Sequence, residues 1–171
     1  MSEDPTIYSE RPDGRMPDSE VQSNHVDAAR DLARRAHARQ TRKTGEPYFN
    51  HPDRVAATLS DSTGRAVAYL HDVLEDCDDP ALLEELYRFP EPIVLAVKLL
   101  TRTPGETYFD FIHRILASGN QTAIAVKIAD LKDNLRDLEE GHQKDKYRFA
   151  LELLECRVTP HDGGSRVSDQ K

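Results

Sequence analysis

Every strong apolar pattern in this chain recurs at intervals of three and four residues, and each is cut short by proline, glycine or a polar turn. Val26, Ala29, Leu32, Ala33 and Ala36 make the first stripe, with Ser23 or Asn24 placed to cap it. Gly45, Pro47 and Asn50 form a loop, and Pro52 opens a short second helix with Asn50 or His51 near its cap. Ser62 or Thr63 caps a third helix, which runs through AVAYLHDVLEDC to the turn at Asp78-Asp79-Pro80. Pro80 to Phe89 gives a fourth. Pro92 to Thr101 gives a fifth, apolar nearly all round and therefore expected at the centre. Thr107 to Ala117 is a sixth. The stripes Ile124, Ile128, Leu131, Leu135, Leu138 and Tyr147, Ala150, Leu151, Leu154, Val158 supply the seventh and eighth. With no alternating strand pattern and no Asn-Gly hairpin, the chain is expected to be all-α, with about eight helices joined by short loops.

A chain of 171 residues has room for one ordinary domain. Residues 1–22 carry three prolines and no apolar period, and residues 160–171 resemble them, so both are expected to be disordered tails around a folded domain at 23–159. The longest apolar runs, Ala66 to Leu70 and Ile93 to Leu100, fall far short of the roughly 20 residues of a membrane-spanning helix. The start is acidic and Pro-rich without an apolar secretory segment, which predicts a cytoplasmic protein. A formal net charge of -8 disfavours attraction to nucleic acid or an anionic membrane, and neither is expected as a partner. Any phosphate ligand needs a local basic site, and the segment Arg30 to Lys43 offers one: Arg30, Arg34, Arg35, Arg39, Arg42 and Lys43. Cys77 and Cys156 are too few for a disulfide framework, and Cys156 reads as a core thiol.

The chemistry gathers in three places. Taken as one continuous helix, the third segment sets His71, Asp72, Glu75 and Asp76 at about 0, 100, 40 and 140 degrees around its axis, on one arc of an otherwise buried helix. Three carboxylates and an imidazole buried together require a cation, and a metal ion is the economical one. His51, in Asn50-His51-Pro52, sits at a helix entrance where it can point into a cavity. Asp130 stands inside the apolar run AIAVKIADLKDNL, with Lys127 one turn before and Asn134 one turn after. Nitrogen and oxygen donors without thiolate suit Mn²⁺ first, with Mg²⁺, Fe²⁺ or Zn²⁺ also compatible.

Three segments together resemble a known family. They are Ala36-His37-x-x-Gln40-x-Arg42-Lys43-x-Gly45-x-Pro47-Tyr48-x-x-His51-Pro52, Leu70-His71-Asp72-Val73-x-Glu75-Asp76, and Val126-Lys127-x-Ala129-Asp130-x-x-x-Asn134-Leu135. In this order and spacing they are similar to the hydrolase half of RelA/SpoT-type enzymes, which are HD-superfamily, Mn²⁺-dependent hydrolases of the alarmone (p)ppGpp. In size the chain is similar to the stand-alone small alarmone hydrolases. The resemblance implies an HD-domain helical fold and one metal ion per chain held by His51, His71, Asp72 and Asp130. It implies Glu75 and Asp76 as the pair that positions and deprotonates the attacking water. Arg42 and Lys43 match the pair that contacts guanine and phosphates, while Asn134 and Tyr147 fall where the family lines its nucleotide pocket. Two departures stand out: Cys77 replaces a common Thr, and Thr101 to Tyr108 (TRTPGETY) diverges after the first residues.

The implied reaction is attack on the 3′-diphosphate of (p)ppGpp to give GDP or GTP and pyrophosphate, with a small-molecule nucleotide as substrate. Other nucleotides, ppApp or NADPH, remain open as substrates of the same site, as does an antitoxin-like binding module. The resemblance also allows a toxic alarmone synthetase as genetic partner.

Overall fold

The computed structural model describes residues 18–158, with side chains described from 24 to 156. Among the described residues it contains nine helices: α1 (Asp18–Ala36), α2 (Asn50–Ala57), α3 (Ser62–Leu70), α4 (Val73–Asp76), α5 (Pro80–Leu86), α6 (Glu91–Leu100), α7 (Tyr108–Ser118), α8 (Gln121–Asp137) and α9 (His142–Val158). The one β feature among the described residues is an isolated bridge between Thr41 and Pro47, so the all-α expectation holds. The expected tails lie outside the described residues, except that 18–22 already belong to α1, which starts ahead of the expected cap at Ser23 or Asn24.

Helix α3 is the hub. Ala66, Val67, Ala68 and Leu70 are fully buried, and the helix packs against α1, α2, α6 and α8 at once. Small residues at Ala66 and Ala68 let neighbouring backbones close in, while Leu32 of α1, Leu131 of α8 and Leu154 of α9 fill the remaining space. Each fully buried Leu or Val contributes about 1.5–3 kcal/mol relative to leaving it exposed. Helix α6, expected to be apolar all round, buries Ile93, Val94, Ala96, Val97 and Leu100 but leaves Leu95 half exposed.

Helix starts follow side-chain chemistry. Asp61 accepts the Gly64 N–H, Asp79 that of Ala81, Thr107 that of Asp110 and Asn120 that of Ala123, each satisfying an otherwise unpaired N–H. Gly119 ends α7 in the left-handed region at φ 65°.

Two expectations are corrected. The third segment is not one helix: α3 ends at Leu70, His71 is its C-cap, and Asp72 is the N-cap of the one-turn α4. His71 and Asp72 therefore leave the common arc, and Glu75 and Asp76 are exposed rather than buried with them. Cys156 is exposed whereas Cys77 is buried; Leu154 and Ala150 carry the core face of α9, and Cys156 lies off that face.

Candidate metal centre

Four side chains from four positions in the fold bring one donor atom each to the same point. His51 is the second residue of α2, His71 and Asp72 occupy the break between α3 and α4, and Asp130 lies in the middle of α8. His51 Nε2 stands 3.1 Å from Asp130 Oδ1 and 3.8 Å from Asp72 Oδ2. His71 Nε2 stands 3.0 Å from Asp72 Oδ2 and 3.7 Å from Asp130 Oδ1. Donors around one ion with bonds of about 2.1 Å are separated by roughly 3.0 to 3.4 Å; two of these spacings fall in that range and two lie a few tenths of an ångström beyond it, within the small adjustment that a single divalent cation would need. His51, His71 and Asp72 each offer a ligand atom within 4.8 Å of the others. The break in the third helix has a use here, because it turns His71 and Asp72 toward the same point.

The imidazoles are oriented from behind. His71 Nδ1 lies 2.7 Å from the Ala68 carbonyl and His51 Nδ1 lies 2.7 Å from Asp133 Oδ2, both acceptors. Each Nδ1 must therefore carry a hydrogen, which leaves Nε2 for the site. Nε2 of His71 is buried and has no hydrogen-bond partner among the described residues, as expected of an atom that awaits an ion. Burial opposes charge on both rings, yet Asp130 and Asp133 outweigh it at His51, and Asp72 and Asp130 outweigh it at His71, raising both pKa values. The surrounding carboxylates thus favour positive charge at the centre.

The carboxylates are held as firmly. Tyr48 donates to Asp72 Oδ2 at 2.6 Å, Lys127 donates to Asp130 Oδ2 at 2.8 Å, and Asn134 donates to Asp130 Oδ1 at 2.5 Å. Burial works against ionising Asp130, but the Lys127 ammonium and the two imidazoles hold its pKa well below the ordinary carboxylate range. Lys127 thus gives a second reason for an Asp in so apolar a run, beside the ion.

Asp76 behaves differently. Although the residue as a whole is exposed, partial desolvation of its carboxyl and the nearby charge of Asp72 raise its pKa, and Gln40 fixes its backbone carbonyl at 2.8 Å. Glu75 Oε1 accepts the Arg102 N–H at 2.5 Å and so is tied to the loop at 101–106. That loop is anchored by Glu106, which accepts from Arg114 Nε at 2.7 Å, while Arg114 also bonds the carbonyls of Leu99 and Thr101.

A cleft of about 320 Å³ adjoins the centre, and Arg42, Lys43, Asn134 and Tyr147 all line it together with Tyr48. The turn that carries Arg42 and Lys43 closes through Gly45 at φ 86°, whose N–H bonds the Arg42 carbonyl at 2.8 Å. Arg42 is not a free arm, however: its guanidinium bonds Asp133 Oδ2 at 3.2 Å and Asn134 Oδ1 at 3.1 Å. Three other members of the basic segment are engaged elsewhere. Arg30 pairs with Asp53, Arg35 with Asp31 and Glu85, and Arg34 lies over the Phe49 ring. The sequence motifs include Tyr48 without a role and pass over Asp133, since neither breaks an apolar pattern. The signal available for Asp133 was its place one turn beyond Asp130, inside the same apolar helix.

An all-α hub helix broken by a His-Asp pair, closed over by a second His and a second Asp, defines the HD class of metal-dependent phosphohydrolase folds, and residues 29–109 match the HD domain family model. The chain is homologous to RelA/SpoT-type (p)ppGpp hydrolases. The guanosine-3′,5′-bis(diphosphate) 3′-pyrophosphohydrolase of Vibrio cholerae is 33% identical over 136 residues, which are 72% of this chain and 19% of that protein. Its counterpart in Aquifex aeolicus is 31% identical over 144 residues, 78% of this chain and 20% of that protein. The bifunctional (p)ppGpp synthase/hydrolase SpoT of Escherichia coli is 33% identical over 138 residues. The chain thus spans about a fifth of the length of these curated relatives. A solved structure described as a metazoan ortholog of SpoT that hydrolyzes ppGpp shares the fold, with a TM-score of 0.56 and 20% identity over 84% of this chain and 98% of that one. Among the described residues no helix is long and apolar enough to cross a membrane.

Proposed function

We propose that this domain hydrolyses the 3′-diphosphate of (p)ppGpp in the cytoplasm, using one Mn²⁺ ion held by His51, His71, Asp72 and Asp130. One observation carries the proposal: the four converging donor atoms share Tyr48 and Asn134 with the basic cleft, so a nucleotide in the cleft has its phosphates beside the ion. Bound there, the ion would supply Lewis acidity, acidifying water and polarising a phosphoryl oxygen.

The chain's own groups do the rest. Asp76, with its raised pKa, takes the proton of the attacking water, and Glu75, held by the Arg102 N–H, orients that water. Water oxygen adds to the phosphorus bonded to the ribose 3′ oxygen, the P–O3′ bond breaks, and the 3′ oxygen leaves with its electron pair and takes up a proton, which balances the one accepted by Asp76. The products are GDP or GTP and pyrophosphate. Lys43 supplies a point charge to a phosphate and Arg42 presents its planar face to the base while staying tied to Asp133 and Asn134. Tyr147 lines the other wall. Phosphoryl transfer of this kind needs positioning and positive charge, not a covalent nucleophile.

The test is turnover by the purified, Mn²⁺-loaded protein of ppGpp, pppGpp, ppApp and NADPH in parallel. Preference for the guanosine substrates with release of pyrophosphate supports the proposal. Preference for ppApp or NADPH reassigns the substrate, and no turnover of any of them contradicts it.

A further inference from the structure

Tyr108 is the first residue of α7, and its ring stacks on Tyr147 with 5.5 Å between centroids. The Lys146 ammonium sits 4.6 Å over the Tyr108 ring, and the flank of that ring lines an apolar groove between α7 and α9. The hydroxyl lies at the other end. It is buried and has no hydrogen-bond partner among the described residues. The charged groups that bear on it are Lys127 and Asp130 of α8 and Arg102 of the loop, with Tyr147 beside it. The ring's stacking partner Tyr147 lines the cleft, and its neighbour Phe111 lies under the Lys127 ammonium at 5.1 Å, so the ring stands between the cleft wall and the Lys127–Asp130 pair.

Packing does not account for that oxygen. A phenyl ring would keep the stack on Tyr147 and the contact with Phe111 without burying an unpaired donor, which lowers the stability of the fold. Burial also raises the phenol's pKa, so it stays a neutral donor. A donor in the field of two cations, Lys127 and Arg102, is suited to an anionic oxygen ligand. Building on the phosphohydrolase proposal above, we infer that Tyr108 is a substrate-binding residue whose hydroxyl donates to a phosphoryl oxygen of the nucleotide's diphosphate. This assigns a role to the segment Thr101 to Tyr108, in which the sequence diverges from the family pattern.

The experiment compares wild type with Tyr108→Phe in three readouts: melting temperature without ligand, affinity of the Mn²⁺-loaded protein for inorganic pyrophosphate by calorimetry, and kcat/KM for ppGpp. Removal of one hydrogen bond to a charged ligand predicts pyrophosphate affinity and kcat/KM each lower by about tenfold. The melting temperature is expected to stay the same or rise, the opposite of what loss of a structural hydrogen bond gives. Equal pyrophosphate affinity in the two proteins, including no binding by either, overturns the inference, and so does a clear fall in melting temperature. A wild type that binds pyrophosphate but hydrolyses no nucleotide defeats the functional proposal alone, because the affinity ratio still decides the role of Tyr108.

Discussion

His51 donates its Nδ1 hydrogen to Oδ2 of Asp133 at 2.7 Å, and this bond determines which ring nitrogen faces Asp72 and Asp130. Asp133 is also a hub for cations: Arg54 bonds it at 2.7 and 3.0 Å, and Arg42 and Arg136 at 3.2 Å. One carboxylate therefore connects the metal centre to the basic wall of the cleft.

Asp133→Asn keeps the shape but offers His51 a weaker acceptor. Metal affinity should fall by about 10- to 100-fold, the usual cost of losing a partner behind a ligating His, while the fold persists. Metal titration of the stripped protein measures this; unchanged affinity would mean that Asp133 serves only the arginines.

Glu75→Gln with Asp76→Asn removes the proposed base and leaves the four converging donors in place. Turnover should drop by at least about 10²-fold with metal content unchanged. Loss of the metal in the double variant would place these carboxylates among the ligands.

Arg42→Ala should raise KM for a guanosine substrate by about tenfold, equivalent to 1.4 kcal/mol. Arg42→Lys should not restore it, because one ammonium cannot bond Asp133 and Asn134 together as the guanidinium does. Arg34→Ala is the control, since Arg34 lies over Phe49 and does not line the cleft. Equal small effects at Arg42 and Arg34 would remove the basis for nucleotide contact by this segment.

Glu106 supplies the acid limb of stability. The Arg114 guanidinium lowers its pKa from 4.5 to about 2. Since the folded value lies below the unfolded one, the pair stabilises fully above pH 4.5 and loses that contribution as pH falls toward about 2. Glu106→Gln should melt at a lower temperature than wild type at pH 6, with the gap closing toward pH 2. Because Glu106 anchors the loop whose Arg102 N–H holds Glu75, the variant should also lower kcat. A gap that stays constant with pH would exclude the ion pair as its cause.

The helices were legible because their apolar stripes recur at helical spacing and end at proline, glycine or polar turns. The capping roles of Thr107 and Asn120 emerge only in the structure, where their side chains accept the Asp110 and Ala123 N–H groups. The break at His71-Asp72 was not legible, for no proline or glycine stands there and the helical spacing runs straight through Leu70 and Val73. Metal-centre candidates stood out where a polar residue interrupts an apolar run, as Asp130 does. Asp133 reveals its role only when α2 and α8 are side by side, and Tyr48 only when its turn meets Asp72 at the break between α3 and α4. The exposure of Cys156 likewise depends on which side of α9 meets α8, a tertiary fact.

The central claim is that a divalent ion at His51, His71, Asp72 and Asp130 is required for cleavage of the 3′-diphosphate. The most direct measurement follows pyrophosphate release from ppGpp by protein stripped with chelator, verified metal-free by elemental analysis, and then titrated with Mn²⁺. The account predicts no release from the stripped protein, full recovery at one ion per chain, and a higher melting temperature as the ion binds the folded state. Undiminished pyrophosphate release by the verified metal-free protein would contradict it.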